Sequence, residues 1–376
     1  MENLALAKGN LGQLWWAGVH AVRGRPAVQN ALISLGTPKP DRIVAVGKAA
    51  AAMSAGALDH FGTNIPTLII TKTGHARDVI QAEVIESSHP VPDRRSIAAG
   101  TRLREVVSQC GGTDHLLVLV SGGASSLAEL PTAGTSLDDI ATATSQLIAG
   151  GADIHQINSV RRELSQLKGG GLLSNFIGGR VTVLAISDVR GDDIEVIGSG
   201  IGVVPAGLPA TSDTTVIASN THARNAVAAA AESRGLTVLT NEENLHGQVG
   251  RVAALVGETL SSGGPGLHIL GGEPTVELPP NPGRGGRNQH LAVLLSRELA
   301  ERGSSTTALV AGTDGTDGPT DDAGGWADAL LWSAEARTAL ETADTGTFLD
   351  RSHMLFTTGP TGTNVMDLVV AVSEPT

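Results

Sequence analysis

Four aspartates, Asp314, Asp317, Asp321 and Asp322, lie within nine residues of one glycine-rich stretch, AGTDGTDGPTDDAGG. Asp and Gly are ordinary residues of solvated loops, and clustered charges usually face water. Clustered carboxylates also bind Mg²⁺, alone or together with a phosphate. An EF-hand is excluded, because the acidic residues do not follow its spacing. A solvated loop and a metal–phosphate site therefore both remain open.

Lys48 stands between an apolar run and a helix-forming run in VAVGKAAAAM. Backbone N–H groups at a helix N-terminus attract anions, and the Lys48 ammonium group adds a full positive charge. The Walker A motif is absent, because Arg42 and Ala49 replace the Gly and the Ser or Thr that it needs. The stretch is an anion site or a tight turn with a solvated lysine.

A second glycine turn follows the apolar run of LVLVSGGASSL. Glycine lets the backbone approach a ligand, and serine hydroxyls donate hydrogen bonds to oxyanions. We expect a phosphate- or substrate-binding turn, and we also expect one of the later serines to cap the helix. The residues are Ser121, Gly122, Gly123, Ser125 and Ser126.

Carboxylates also follow a strand in AISDVRGDDIEVIGSG, where Asp188, Asp192 and Asp193 cluster. Such a cluster suits Mg²⁺ or a base that orients a hydroxyl group, and solvation is the alternative for Asp192. We expect the basic residues of the preceding INSVRRELSQLKGGG to be mostly solvated charges: Arg161, Arg162 and Lys168.

The richest stretch runs from GGEPTVEL to GRGGRNQHLAVLLSREL and contains Glu273, Arg284, Arg287 and Asn288. Arginine forks bind carboxylates and phosphates through two parallel hydrogen bonds, so an anion site is predicted. A buried structural salt bridge is the alternative.

The last candidate is a loop rich in hydroxyl groups and glycine, FTTGPTGTNVMDLVV, of the kind that wraps an anion. Its candidate ligands are Thr361, Gly362, Thr363 and Asn364. Together with the earlier strand ends, it predicts one site for a metal-bound phosphate donor and a small acid.

Short apolar runs alternate with helix-forming stretches and must position these residues. Uninterrupted apolar strands separated by helices indicate parallel βαβ units, so the fold class is α/β. A break near TNEENLHG divides the chain into an N-terminal domain, 1–240, and a C-terminal domain, 245–376. The predicted strands are 43–46, 67–71, 116–120, 181–187, 215–219, 267–270, 307–312 and 366–372.

Composition limits the partners. The net charge of −12 and an aromatic share of 2% argue against nucleic acid. The apolar runs are too short to span a membrane, no signal peptide is recognised, and Cys110 is the only cysteine. We expect a cytoplasmic protein that binds small molecules, and a homodimer stays open.

The ordered motifs resemble those of the glycerate 2-kinases of the two-domain type, whose C-terminal half is the MOFRL domain. The matching stretches include VGKAAAAM, SSHPVPDRRS, VSGGASSL, GRGGRNQHLA, GTDGTDGPTDDAGGWAD and TGPTGTNVMDL. The resemblance implies a Rossmann-like N-terminal domain with a largely parallel sheet, a smaller α/β C-terminal domain and an active site in the cleft between them. It also implies phosphorylation of the 2-hydroxyl of D-glycerate with ATP and Mg²⁺.

Within that resemblance we assign the reacting groups as hypotheses. Lys48 contacts the transferring phosphoryl group or the substrate carboxylate, and Arg287 binds that carboxylate or stabilises the transition state. Asp188 and Asp193 are candidates for orienting the hydroxyl. We expect Asp314 and Asp317 at Mg²⁺, and Asp321 and Asp322 in solvent.

The chain departs from the family pattern at Ala124, Gly171, Arg190 and Ile201, which affects the expected substrate preference more than the reaction type. Two other functions remain open. A hydroxypyruvate reductase would need a dinucleotide fingerprint, which neither the Lys48 turn nor the Ser121 turn has. A non-catalytic sensor of sugar acids or phosphates would leave the grouped aspartates unexplained.

Overall fold

The structure is a computed structural model that describes residues 2–76, 81–149, 154–262 and 264–373. The chain forms two compact units. The first unit comprises Val22–Ser219 and Gly362–Asn364, and the second comprises Met1–Ala21, Asn220–Thr361 and Val365–Thr376. This division precedes the boundary predicted near residue 240, and it assigns the N-terminal helix to the second unit.

The first unit contains a six-stranded parallel sheet in the order β3-β2-β1-β4-β5-β6. Its strands are β1 (Arg42–Val46), β2 (Thr67–Lys72), β3 (Glu83–Ser87), β4 (His115–Val120), β5 (Arg180–Ile186) and β6 (Thr211–Ala218). Its helices are α2 (Gly24–Leu35), α3 (Ala50–Phe61), α4 (Arg94–Ser108), α5 (Ala124–Leu127), α6 (Leu137–Ala149) and α7 (Ile154–Glu163). The predicted parallel α/β architecture is confirmed for this unit.

The apolar composition of the central strands explains why they lie inside. Every residue of β4 is buried, and β1 is buried from Ile43 onward. Both faces of a parallel sheet are covered by helices, so such strands need apolar side chains on both faces. Burying each Val, Leu or Ile side chain contributes about 1.5–3 kcal/mol.

The second unit contains a mixed sheet in the order β13-β12-β11-β14-β9-β7 and a short parallel pair of β8 with β10. Its strands are β7 (Val238–Glu243), β8 (Gly247–Gln248), β9 (Gly266–Gly272), β10 (Pro274–Thr275), β11 (Thr307–Gly312), β12 (Gly324–Ala327), β13 (Leu355–Phe356) and β14 (Asp367–Ser373). Its helices are α1 (Glu2–Ala21), α8 (Asn220–Glu232), α9 (Val249–Ser261), α10 (Arg287–Glu301), α11 (Ala334–Glu341) and α12 (Thr345–Arg351).

Strand direction in this second sheet differs from the expectation of parallel βαβ units. Only β7 and β9 pair in parallel, and the other neighbours are antiparallel. The reason is local for β11 and β12, because the aspartate-rich loop joins them without a crossover helix, so β12 returns alongside β11.

Close packing explains why the N-terminal helix belongs to the second unit. Trp15 is buried in α1 and packs edge-on against Phe356, with ring centroids 5.1 Å apart. Gly18 brings α1 against α8, where an added Cβ would lie 2.7 Å from Val227 Cγ2.

Within the described ranges, we find no helix with the length and apolar character needed to cross a bilayer.

Candidate functional site

The turns that follow β1 and β4 are joined by hydrogen bonds. The Lys48 N–H donates to the Gly122 carbonyl at 2.9 Å, and the Ala49 N–H donates to Ser121 Oγ at 3.0 Å. Gly47 has φ 131°, and a side chain there would overlap Ser121. The two predicted anion-binding turns therefore form one continuous surface at the carboxyl ends of neighbouring strands.

This surface lies at the topological switch point of the first sheet. Strand order runs from β1 through β2 to β3 in one direction and through β4 to β6 in the other. In open α/β sheets, ligands bind outside the carboxyl ends of the strands at such a point. The sheet order therefore supports a ligand site at Lys48 and Ser121.

Asp188 joins this surface through Gly122 and Asn364. Asp188 follows β5, and Asn364 Nδ2 donates to Asp188 Oδ2 at 3.1 Å. An added Cβ at Gly122 would overlap both the Asp188 carboxylate and the Asn364 amide. Glycine at 122 is therefore required by the close approach of these two side chains.

Asp193 occupies a different setting. It is exposed, and its Oδ1 accepts a hydrogen bond from the Glu195 N–H at 2.9 Å. Its carbonyl accepts from the N–H groups of Val196 and Ile197. Asp193 thus stabilises a turn, while the carboxylate of Asp188 lies beside Gly122.

The serines that follow Gly123 do not cap α5, contrary to expectation. The helix begins after Gly123 without a side-chain cap, because Ser125 and Ser126 already lie within its single turn. Ser126 Oγ donates to the Gly123 carbonyl at 3.2 Å, and Ser125 Oγ lies 2.8 Å from Ser199 Oγ.

In the second unit, two carboxylates surround Arg287 at the start of α10. Arg287 Nε and Nη2 donate to Asp367 at 2.6 and 2.9 Å, and Arg287 Nη1 lies 2.9 Å from Glu273 Oε1. Asp367 is fully buried, whereas the Glu273 side chain is 44% exposed. The salt bridge that the sequence left open is therefore present, and it offsets the charge of Arg287.

Asp317 caps helix α10. Its Oδ1 accepts from the Asn288 N–H at 3.0 Å and its Oδ2 from the Gln289 N–H at 2.8 Å. Asn288 Nδ2 adds a contact of 3.3 Å to Oδ1. Burial raises the pKa of Asp317 to about 7, against the opposing effects of Arg287 and the two backbone donors.

Asp314 and Asp317, the pair predicted at Mg²⁺, both accept hydrogen bonds within the protein, and their assignment to the metal stays a prediction. Both oxygens of Asp317 accept backbone N–H groups, and Asp314 Oδ1 accepts the N–H and hydroxyl of Thr316 at 3.0 and 3.1 Å. Across the described ranges, no group of three or more His, Cys, Asp or Glu side chains is arranged to hold a metal ion.

Asp322 was expected in solvent, and that expectation is wrong. Asp322 is 5% exposed, forms an ion pair with Arg284 at 2.5 Å and accepts a hydrogen bond from Thr357 Oγ1 at 2.5 Å. Arg284 also lies 3.5 Å from Asp350. A charged side chain can be buried when an oppositely charged partner from another segment replaces its contacts with water. Asp321 is exposed, as expected.

The hydroxyl groups of the loop before β14 hold the loop itself. Thr361 Oγ1 donates to the Thr313 carbonyl at 2.6 Å in the second unit. In the first unit, Thr363 Oγ1 donates to the Val22 carbonyl at 2.6 Å, and the Gly362 carbonyl accepts from the Gly24 N–H at 3.1 Å. Asn364, one of the loop residues predicted to bind an anion, contacts a predicted catalytic side chain, Asp188.

The sequence interpretation missed a buried ion pair in the first unit. Lys168, expected to be solvated, has a side chain only 2% exposed and pairs with the fully buried Glu129. Glu129 precedes Lys168 by 39 residues and lies in no recognised motif, so no sequence signal connected the two.

Comparison with known proteins identifies two matched segments. Residues 10–234 match the domain of unknown function DUF4147, and residues 266–367 match the MOFRL family. The boundary predicted at 240–245 lies between these segments.

One curated relative is a D-glycerate 2-kinase from Thermotoga maritima, which is 36% identical in a match that covers 88% of this chain and 90% of the relative. The protein belongs to the glycerate 2-kinase family. A crystal structure of a glycerate kinase from Thermotoga maritima has a TM-score of 0.84 and 32% identity and covers 98% of this chain and 99% of that one. This likeness confirms the predicted two-domain α/β fold class.

Another relative of this glycerate 2-kinase family member, from Agrobacterium vitis, is provisionally named a hydroxypyruvate reductase. It is 35% identical in a match that covers 87% of this chain and 97% of the relative. Kinases take ATP as a substrate, so membership of the family implies a nucleotide site.

Proposed function

We propose that this protein transfers the γ-phosphoryl group of ATP to the 2-hydroxyl of D-glycerate, forming 2-phosphoglycerate and ADP. The observation that carries the proposal is the meeting of three groups at Gly122. These groups are the Lys48 turn, the Asp188 carboxylate and the Asn364 amide. A cationic turn beside an oriented carboxylate suits the transfer of a phosphoryl group to a hydroxyl.

The chemical step assigns one role to each of these groups. The 2-hydroxyl oxygen forms the new bond to the γ-phosphorus while the bond from that phosphorus to the β–γ bridging oxygen breaks. Asp188 accepts the proton of the hydroxyl, and Asn364 holds the carboxylate in position. The Lys48 ammonium group offsets the negative charge on the transferring oxygens.

The turn after β4 provides contacts to oxyanions. Ser121 is buried and ties this turn to that of Lys48, while Gly123 at the start of α5 is partly exposed. We assign Ser125 and Ser126 to the substrate side, where they lie beside a cavity. Asp193 is assigned to the turn rather than to the hydroxyl because it is exposed and accepts the Glu195 N–H.

Roles in the second unit are proposed from charge. A guanidinium group has five N–H donors, so Arg287 keeps donor capacity for a transition-state oxygen beyond its three carboxylate contacts. Glu273 and Asp367 position that group, and Asn288 fixes Asp317 at the start of α10. The convergence of Lys48, Arg287 and Asp314 on one cleft stays a prediction.

We propose that Mg²⁺ enters with ATP, because both oxygens of Asp317 already accept backbone N–H groups of α10. Mg²⁺ keeps several waters and is commonly held by one or two carboxylates together with substrate phosphates. Asp314, Arg284 and the loop that contains Thr361, Gly362 and Thr363 are assigned to the surroundings of this nucleotide complex.

The proposal is tested by supplying ATP, Mg²⁺ and D-glycerate together with enolase and pyruvate kinase, without phosphoglycerate mutase. Enolase acts on the 2-phosphate, so a signal without mutase identifies phosphorylation at the 2-hydroxyl. A signal that requires mutase would assign the 3-hydroxyl and overturn the proposed position.

The alternatives are separated by two further measurements on the same preparation. Consumption of NADH with hydroxypyruvate in the absence of ATP would support a reductase. Binding of D-glycerate without turnover under all of these conditions would support a sensor. Either result, with no phosphorylated product, would contradict the kinase proposal.

A further inference from the structure

A cavity of about 380 Å³ lies wholly within the first unit, beside the Lys48 turn. Its apolar wall includes Ile140 and the segment Pro90–Pro92, and its polar wall includes Ser125 and Ser126. Gly123 also lines the cavity, and an added Cβ on Gly123 would lie 3.3 Å from Lys48 Cγ. The cavity therefore adjoins the proposed phosphoryl-transfer surface and has room for a small hydroxy acid.

Three of the lining side chains carry a formal charge, Glu129, Arg161 and Lys168, and the lining also includes His89. Lys168 forms an ion pair with Glu129, which also accepts hydrogen bonds from Ser165 Oγ at 2.5 Å and from the Leu130 N–H at 2.9 Å. Glu129 is therefore satisfied by three donors. The ion pair of Lys168 and Glu129 carries no net charge. The net charge of the three charged side chains is therefore the single positive charge of Arg161.

Arg161 is only partly exposed and is weakly engaged by the rest of the protein. Within the described part of the chain, its Nε makes a long contact of 3.5 Å to Thr144 Oγ1, and it forms no ion pair. Burial lowers the pKa of Arg161, so its charge is poorly solvated, although an arginine stays protonated. The Glu129 carboxylate acts on this pKa in the opposite sense, but that carboxylate is already paired with Lys168. A desolvated cation that forms no ion pair of its own gains most from an anionic ligand.

Hydrogen bonds to buried residues outside the cavity lining fix the hydroxyl group of Ser125. Ser125 Oγ lies 2.8 Å from Ser199 Oγ, which donates to Asn158 Oδ1 at 3.0 Å. Asn158 and Ser199 are both buried. A hydroxyl fixed by such a chain is oriented before a ligand arrives, which lowers the entropy cost of binding.

We propose that this cavity binds the carboxylate of the acceptor hydroxy acid, with Arg161 as its counter-ion and Ser125 and Ser126 as hydrogen-bond partners. This proposal rests on the proposed function for the identity of the acid, D-glycerate. It assigns recognition of the substrate's charge to a residue that sequence interpretation placed in solvent.

The charge of the cavity favours a carboxylate over the phosphates of ATP. A single uncompensated positive charge matches a monoanion, whereas a triphosphate would bring several negative charges close to the buried Glu129. The apolar wall also fits the carbon chain of a small acid. If the cavity binds the acceptor, the Lys48 turn remains available to contact the phosphoryl group.

The experiment compares Arg161→Met with Arg162→Met in the full-length protein. Arg162 is the neighbouring residue but is bound to Glu195, at 3.2 Å to its carboxylate and 2.6 Å to its carbonyl. We expect Arg161→Met to raise the KM and the calorimetric Kd for D-glycerate by roughly 10- to 100-fold, the loss of one charge-assisted contact. The KM for ATP should change by less than about 3-fold.

Two further readouts exclude a purely structural effect. Arg161→Lys keeps the charge and should recover part of the lost affinity, and thermal unfolding should show that all variants are folded. The preference for D-glycerate over glycerol, which lacks the carboxylate, should fall in Arg161→Met and stay unchanged in Arg162→Met.

The outcomes separate this proposal from the proposed function. Binding of D-glycerate that depends on Arg161, with no phosphorylated product, would support the cavity and contradict the kinase. Normal turnover with an unchanged KM for D-glycerate in Arg161→Met would overturn the cavity proposal and leave the kinase standing. A raised KM for ATP alone would also overturn it, because the cavity would then belong to the nucleotide.

Discussion

Arg287 binds Asp367 through two parallel hydrogen bonds, with Nε to Oδ2 at 2.6 Å and Nη2 to Oδ1 at 2.9 Å. Asp367 begins β14 and is fully buried, so the arginine at the start of α10 is its charge partner. The geometry is the bidentate arrangement that makes arginine–carboxylate pairs strong.

The first prediction follows from this pair. Arg287→Ala leaves the buried Asp367 without its partner and should lower the free energy of unfolding by about 3–5 kcal/mol. Asp367→Asn combined with Arg287→Met removes both charges and should recover much of this loss. Urea unfolding measures both variants, and a loss below about 1 kcal/mol for Arg287→Ala would show that the pair is structurally unimportant.

Gly122 provides a test of the proposed site. Gly122→Ala places a methyl group where the Asp188 carboxylate and the Asn364 amide lie, so both must move. We expect kcat to fall about 100-fold, because a displacement on the order of 1 Å in a catalytic group has this effect. Gly111→Ala is the control, since an added Cβ there meets no atom within 4 Å. Equal activity of the two variants would remove Asp188 from the reaction.

Asp188 and Asp193 can be separated directly. Asp188→Asn keeps the shape of the side chain but cannot accept the hydroxyl proton, so kcat should fall by about 10²- to 10⁴-fold. Asp193→Asn should retain nearly full activity, because that carboxylate is exposed and accepts the Glu195 N–H within its own turn. The kcat values of both variants are measured with saturating ATP and D-glycerate. A larger loss of kcat in Asp193→Asn than in Asp188→Asn would assign the general base to Asp193.

Lys48 is predicted to act on the transferring phosphoryl group. Lys48→Met should raise the activation free energy by about 2–4 kcal/mol, as for the loss of a donor to a developing negative charge. Lys39→Met alters an exposed lysine of the same unit and should leave kcat unchanged. Near-normal turnover of Lys48→Met would show that its turn serves the fold alone.

His290 predicts a pH dependence of stability. Burial lowers the pKa of His290 from 6.5 to about 4, so between these values the unfolded chain binds the proton and the folded protein does not. Its stabilising contribution is complete above pH 6.5 and is lost as the pH falls toward 4, a change of about 3 kcal/mol.

The measurement compares urea unfolding of the wild type and His290→Gln at several pH values between 4 and 7. The difference in unfolding free energy between them isolates His290, because Asp317 is present in both proteins and its contribution cancels. In each protein, Asp317 changes stability with pH in the opposite sense. Its pKa rises from 3.8 to about 7, so its contribution weakens as the pH rises through that interval. A constant difference between wild type and His290→Gln across this range would contradict a neutral buried His290.

The sequence by itself determined the strands and the positions of the turns. Runs such as Leu116–Val120 have the length and apolar character of buried strands, and the glycines that follow them mark where a chain turns toward a ligand. Lys48, Gly122 and Asp188 could therefore be predicted as site residues from the sequence, because each lies just after such a run.

Tertiary structure decided which charges are partners and which face solvent. Asn364 meets Asp188 across 176 residues of chain, and Lys168 meets Glu129 across 39. Asp317 caps α10, while Asp322 pairs with Arg284. The sequence shows these residues only as equal members of polar stretches. Burial and pairing depend on which segments pack together, and local composition does not contain that information.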